Sequence, residues 1–507
     1  MELLSPAGNI EKLYYAYKYG ADAAYIGLRG FSLRAKADNF IEDDYKKIIA
    51  IKNEFPHRRL HCALNISFHN DEVASFLARI NDYKLFPIDA FIVQDMGLVP
   101  ILQKEFPNAE LHLSTQASCM NYLAARAYRD MGFKRVVLGR EVSLKEVAEI
   151  KEKVDNLEIE CFVHGAMCVA YSGRCLLSAY MNGRSGQSGL CTHTCRWNYA
   201  LKGDVKALAQ SGGLVLEEES RANEYFPVFE GDNFTAILSS KDLCMIDHLQ
   251  EMKDAGVDSL KIEGRMKSIY YVALVTRAYR KALDVMDGKI SAEEAKPYID
   301  ELYLTSHREF TTGFFFGRAD ADKAVMAAAE CPYLLSGTVG EELSEADADE
   351  IFEKGRKSFA ALNASFTDEV EKAQEARREQ WLKNPDWCVP CAHKKEGWKL
   401  YAFHPLNHIA CKIGNEAQSK DEIGRGYDAA YEAQRANEKS GDTLEFVGSS
   451  FLCKKATDSE FQLVNPKNGL LVNWVSESHE CLLYTPHELE RGTIVRIRDY
   501  LRKIGVR

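Results

Sequence analysis

The sequence predicts an α/β protein: a (β/α)8 TIM-like barrel, followed by a helical segment and a small mostly-β C-terminal module. Three observations carry this. Eight short apolar runs alternate with amphipathic helical patterns over residues 1 to about 290. Most runs are separated by the roughly twenty to thirty residues that a right-handed crossover needs. The turn after the first run, Pro6, Ala7 and Gly8, lacks the glycine-rich phosphate loop of an open doubly wound sheet.

The expected strands are Met1 to Ser5, Ala21 to Gly27, Leu60 to Ile66, Ala90 to Gln94, Leu111 to Ser114, Arg135 to Leu138, Ile159 to Val163 and Ser259 to Ile262. Helical patterns fill most gaps, including Asn9 to Tyr19, Asp43 to Glu54, Asn121 to Met131 and Leu144 to Lys153. The connection from Trp197 to Asp258 is longer; its acidic run Glu217 to Glu219 reads as an exposed insertion and Thr235 to Leu238 as a short strand. In SSKDLC, Ser239 or Ser240 is expected to cap a helix with Cys244 in its early turns. Asp300 to Gly317 ends in aromatics (Phe310, Phe314, Phe315 and Phe316) expected to fold back over the barrel. The barrel domain is assigned to residues 1–330, a helical segment or linker to 331–387 and the β-rich module to 388–507.

With 46% hydrophobic and 27% charged residues the chain reads as globular, and 507 residues exceed one ordinary core. No signal peptide or membrane span is evident, so a cytoplasmic location and no membrane partner are expected. Fourteen cysteines in such a chain read as free thiols with a metal-binding subset. A net charge of -11 argues against non-specific coating of nucleic acid. RNA stays open as a substrate through local patches, such as Lys261, Arg265 and Lys267, or the run Arg491, Arg496, Arg498, Arg502, Lys503 and Arg507.

From Glu160 to Tyr199, cysteines cluster among glycines and serines: Cys168, Cys175, Cys191 and Cys195, with Cys244 a distant fourth thiolate or an inert cysteine. Iron-sulfur clusters and zinc both use convergent thiolates on irregular backbone, and the spacing alone leaves the metal open. Cys161 alternates with Phe162 and Val163 and reads as a wall residue. In CVPCAH, Cys388, Cys391 and His393, with His404, His408 and Cys411 downstream, could hold zinc; free cysteines and surface histidines are the preferred reading.

Catalytic groups of a (β/α)8 barrel sit where strands end at the C-terminal face. Here those positions hold Ser5; Arg29, Ser32 and Arg34; Asn65, Ser67, His69 and Asn70; Gln94 and Asp95; Ser114, Thr115 and Gln116; Arg140 and Glu141; His164; and Lys261, Glu263 and Arg265. Each alone is more easily a cap or turn residue, and the set is the stronger signal. His69, His164, Lys261 and Glu263 are the candidate catalytic groups.

VHGAMCVAYSGRCLLSAY resembles the signature of peptidase family U32, also called collagenase-like. The resemblance extends through LSPAG at Leu4 to Gly8, YGADAAYIG at Tyr19 to Gly27, FSLRA and NF between Phe31 and Phe40, STQAS with Asn121, LGREVSLKE at Leu138 to Glu146, CRW at Cys195 to Trp197, SSKDLC, and SLKIEGRMKS at Ser259 to Ser268. It covers residues 1 to about 317 and is most similar to the family's tRNA wobble-uridine hydroxylation branch. The C-terminal part departs from the compact β-barrel that commonly follows in this family.

Proteolysis finds little support, because the chain has no GxSxG elbow and no HExxH helix. The better understood relatives imply oxygen-independent hydroxylation of a tRNA wobble uridine, of a cytidine in large-subunit rRNA, or in ubiquinone biosynthesis. The resemblance further implies a [4Fe-4S] cluster on Cys168, Cys175, Cys191 and Cys244, with Cys195 able to substitute, and prephenate as hydroxyl source. Zinc remains the alternative metal. Arg34, Arg140 and Arg265 are then candidates to hold that dicarboxylate, with Asn65 and Gln116 lining the pocket. Expected partners are a tRNA anticodon loop, the dicarboxylate and an electron donor. A peptidase and a non-catalytic metal-binding scaffold are the rival readings.

Overall fold

The computed structural model describes residues 1–33, 39–168, 170–196, 240–317, 331–364, 392, 394–407, 409–410 and 443–498 except 458, 473 and 478. It also describes the short stretches 215–217, 225–227, 229–231, 234–236 and 328–329. The chain divides into two compact units, Met1–Glu330 and Cys331–Arg507.

In the first unit eight parallel strands form a closed ring: β1 Glu2–Pro6, β2 Ala23–Gly27, β3 Arg59–Leu64, β4 Ala90–Val93, β5 Glu110–Leu113, β6 Arg135–Val137, β7 Glu158–Ala166 and β8 Ser259–Ile262. Each pairs with the next, and β8 pairs with both β1 (Glu2 opposite Ser259) and β7 (Ser259 opposite Glu160), which closes the barrel. This is the predicted fold, with every predicted strand present.

Helices begin where the sequence supplies an oxygen for an orphan amide. Asn9 accepts from Lys12 at the start of α1 (Ile10–Lys18), and Asn121 accepts from Ala124 at the start of Tyr122–Asp130. Ser143 and Glu146 form a capping box for Leu144–Lys153. Ser268 caps α2 (Ile269–Met286), which packs on α1 and β1. Its first half is buried on nearly every side, from Ile269 to Tyr279, each large apolar side chain contributing about 1.5–3 kcal/mol.

Two features reshape the mouth of the barrel. β7 runs nine residues, and its end pairs with an antiparallel strand, Asp242–Cys244. Phe310–Thr311 then pairs parallel with that strand, so the aromatic segment does return to the barrel. The expectation of a capped helix around Cys244 is corrected here. The residue lies on the strand opposite His164, and the backbone amides that a cap would have needed are engaged by β7 and Glu309.

The second unit is an antiparallel sheet of seven strands: β9 Tyr333–Glu342, β10 Lys399–Pro405, β11 Leu444–Val447, β12 Lys454–Ala456, β13 Gln462–Val464, β14 Cys481–Thr485 and β15 Ile494–Arg498, in the order β12-β11-β15-β9-β10-β14-β13. Val339, Tyr401, Phe403, Phe446, Leu463, Leu483 and Val495 form its core. The predicted helical segment holds a helix at Glu345–Ala364, but β9 before it belongs to this sheet. Residues 331–364 are therefore part of the β-rich unit. Among the described residues, no helix is long and apolar enough to cross a membrane.

Candidate functional site

The barrel interior is built in layers, because every second strand residue points inward. Toward the N-terminal end the layer is ionic. Arg135 bonds Glu158 at 2.9 Å and Glu160 at 3.0 Å, and also reaches Glu2. Lys261 Nζ donates to Glu160 Oε1 at 2.7 Å, and Arg59 pairs with Glu110. Burial alone would raise the Glu160 carboxyl; Lys261 and Arg135 more than reverse this and hold it at about 2. His61 and His112 sit in the same layer, ring centroids 4.8 Å apart, both driven toward neutrality by burial. One ligand atom each of His61, His112 and Glu160 lies within 4.8 Å of the others. Both Glu160 oxygens are already taken by cations, so the group reads as an ion layer rather than a metal cage.

One layer up, cations meet aromatic faces. The Arg140 guanidinium lies 4.0 Å from the Phe162 ring centroid, and Lys261 Nζ lies 5.4 Å from the same ring and 4.7 Å from Tyr25. Arg265 lies 5.9 Å from Tyr25 and donates to Ser32 Oγ at 3.0 Å. The row Arg140, Phe162, Lys261, Tyr25, Arg265 thus crosses the mouth, drawing on the ends of β6, β7, β8 and β2. Gly27 makes room for it: a Cβ there would stand 2.0 Å from Arg265 Nη1.

The cysteine loop is fastened over this row by polar contacts to three strand ends. Ser67 N, after β3, donates to Gln187 O, whose side chain donates to Gly173 O. After β5, Ser118 bonds the Ser172 carbonyl, and Gly173, at φ +74°, packs so tightly on the Gln116 carbonyl that a Cβ would lie 2.1 Å from its oxygen. After β6, Arg140 N donates to Ser172 Oγ and Glu141 accepts from Ser172 N at 2.8 Å. Within the loop, Gly186 lies against Cys191 Cβ and the Cys175 carbonyl, and His193 N donates to Cys191 Sγ at 3.4 Å. Cys168 is exposed; Cys175, Cys191, Cys195 and Cys244 are half-buried, and all are free thiols. Cys244 Sγ lies 3.9 Å from Tyr279 Oη, and burial pushes its thiol up to about 11.

The other candidate residues lie at different depths around the mouth. Lys261 is buried inside the ring and paired with Glu160; burial lowers its pKa against the opposing pull of that carboxylate. His164 lies behind the mouth, enclosed by Tyr271, Tyr279 and Phe310 and lowered by burial to about 3. His69 is exposed at a helix N-terminus, its amide donating to Glu72. Asn65 accepts from Leu33 N at 3.0 Å and so holds the loop that follows β2. The Glu263 carbonyl accepts from Tyr271. Arg496 is not part of a basic patch: it is buried against Glu445 and Tyr333. Arg34, Cys388, Cys391, His393, His408 and Cys411 lie outside the described residues. Tyr25, Phe162, Glu160 and the His61–His112 pair were missed. Their signal was a polar or aromatic residue at alternate positions inside apolar strands.

A closed (β/α)8 ring with a cysteine loop fastened across a cationic mouth defines the class of barrel protein. The chain belongs to peptidase family U32, whose family model matches residues 8–324. It is similar to "tRNA hydroxylation protein P" of Haemophilus influenzae, 36% identical over 62% of this chain and 73% of that protein. It is likewise similar to "tRNA hydroxylation protein P1" of Bacillus subtilis, 40% identical over 62% and 71%. "23S rRNA 5-hydroxycytidine C2501 synthase" of Escherichia coli is 35% identical over 80% of this chain and 59% of that protein.

Proposed function

We propose that this chain is an RNA hydroxylase acting on the wobble uridine of tRNA, with prephenate as hydroxyl source and a [4Fe-4S] cluster on Cys168, Cys175, Cys191 and Cys244. The observation that carries the reading is the row of Arg140, Lys261 and Arg265 against Phe162 and Tyr25. Guanidinium groups recognise carboxylates, and aromatic faces accept a flat ring. Relatives 36–40% identical that are named for tRNA hydroxylation support the choice of RNA. A wobble base is unpaired in the free anticodon loop, so presenting it to a barrel mouth costs little.

Cys168, Cys175, Cys191 and Cys244 are free thiols, the ligand type that a cluster takes. The Cys191 sulfur also receives a backbone N–H, as cluster thiolates do. When bound, the cluster would supply one-electron chemistry; this chain's own residues hold the anion (Arg140, Arg265), fix the charge of the floor (Glu160, Lys261) and close the mouth with the loop.

The test is iron and acid-labile sulfide content of protein purified without oxygen, together with nucleoside analysis of tRNA from a strain lacking the gene. Four irons and four sulfides per chain, lost in C191A, and a missing hydroxylated wobble uridine restored by the wild type are expected. Zinc alone after anaerobic reconstitution, or unchanged tRNA nucleosides, would overturn the reading. The rRNA-named relative, whose match spans 80% of this chain, makes a cytidine of large-subunit rRNA the second target to analyse.

A further inference from the structure

The cysteine loop carries more than thiols. Residues 167–196 contain three arginines (Arg174, Arg184 and Arg196) and no aspartate or glutamate, in a chain with 75 acidic residues. The same stretch displays large apolar side chains to solvent: Tyr171 at 53% exposure, Leu176 at 67%, Tyr180 at 86% and Met181 at 43%. Rings this exposed contribute almost nothing to a core. The loop beneath them is nonetheless fixed at Ser67, Gln116, Ser118, Arg140 and Glu141, so they are held in place beside the mouth.

We propose that Tyr171 and Tyr180 are stacking platforms for the unpaired nucleotides flanking the target base, with Arg174 and Arg184 contacting their phosphates. This rests on RNA being the substrate. Aromatic faces interleaved with arginines on a locally cationic surface are how single strands are bound without reading sequence. Arg174 is anchored at the loop surface through Nε, which donates to Ser118 Oγ at 3.3 Å. A second copy of this chain is a poorer occupant. A symmetric contact would set a loop with three arginines and no acidic residue of its own against its own copy.

The experiment is fluorescence anisotropy of a labelled anticodon stem-loop RNA with anaerobically reconstituted full-length protein. Y180A and Y171A should each weaken binding about tenfold, the scale of one lost base stack. Y180F should bind like wild type, and iron content should be unchanged in all three. Wild-type affinity in Y180A and Y171A would overturn the stacking role while leaving the hydroxylase reading intact. Equal loss in Y180F would overturn it too, by assigning the effect to the hydroxyl. No RNA binding by the wild type would overturn both readings. Dissociation of an oligomer in Y180A with unchanged RNA affinity would assign the surface to a second copy instead.

Discussion

At the N-terminal end of the barrel, Arg59, Arg135 and Lys261 each hold a carboxylate. One layer higher, Arg140 has the Phe162 ring against it and no carboxylate among the described residues. Both layers carry cations, yet those of the lower one are matched by Glu2, Glu110, Glu158 and Glu160, while Arg140 above has an aromatic face in place of an anion among the described residues. Lys261 belongs to both, bonded to Glu160 below and lying over Tyr25 and Phe162. The difference teaches that buried charge by itself does not mark a functional site. What marks it is charge whose counter-ion the fold withholds.

The sharpest way to break the comparison is Glu160→Gln. Removing the anion strands Arg135 and Lys261 in the interior, and urea denaturation should show a loss of about 3–5 kcal/mol; a loss under about 1 kcal/mol would mean the lower layer does not hold the ring together. Acid should reproduce much of this. Glu160 is held at about 2 in the folded protein and titrates near 4.3 when unfolded, so its contribution is complete above about pH 4.3 and is lost as pH falls toward 2. That amounts to about 3 kcal/mol, and the slope of stability against pH in this window should flatten in E160Q.

Arg140→Ala tests the upper layer. Stability should change by less than about 1 kcal/mol, the worth of an exposed cation–aromatic contact. Affinity for prephenate, measured by calorimetry, should fall about tenfold. Equal affinity would remove Arg140 from the anion site. The smallest effect is expected for His61→Leu. Neither His61 nitrogen has a hydrogen-bond partner among the described residues, so replacing it with an apolar side chain of similar reach should cost less than about 1 kcal/mol. A larger loss would show that the histidine pair holds something after all.

The ring was legible because β1 to β8 are apolar runs at crossover spacing, and the position of Arg140 and Arg265 at the mouth followed from their place just beyond strand ends. The ion layer was not, since Glu160, His61 and Arg135 sit inside strands, where alternation says only that they share a face. In a barrel that face is the interior, and only closure reveals it. The Cys244 strand was misread because SSK before Asp242 has the chemistry of a helix cap. Its pairing with the overlong end of β7 is a tertiary fact, and tertiary context overrides local preference. His164 was expected at a strand end, but β7 runs on to Ala166, and the strand Asp242–Cys244 and Phe310 enclose it. In the second unit, β9 was overlooked because its register is set by partners distant in sequence, from Glu342 opposite Tyr401 to Tyr333 opposite Arg498.

The double pairing of β8 also sets an order of events. Glu2 and Ser259, 257 residues apart in sequence, must meet before the ring is sealed, so a chain leaving the ribosome carries seven strands with two open edges until Ile262 has emerged. Cys168, Cys175 and Cys191 are made well before that moment, whereas Cys244 precedes the sealing strand by only a short helical segment. Translation therefore delivers the thiol on the Asp242–Cys244 strand almost together with barrel closure, and any nascent chain interrupted before residue 259 has an unsealed floor beneath the mouth.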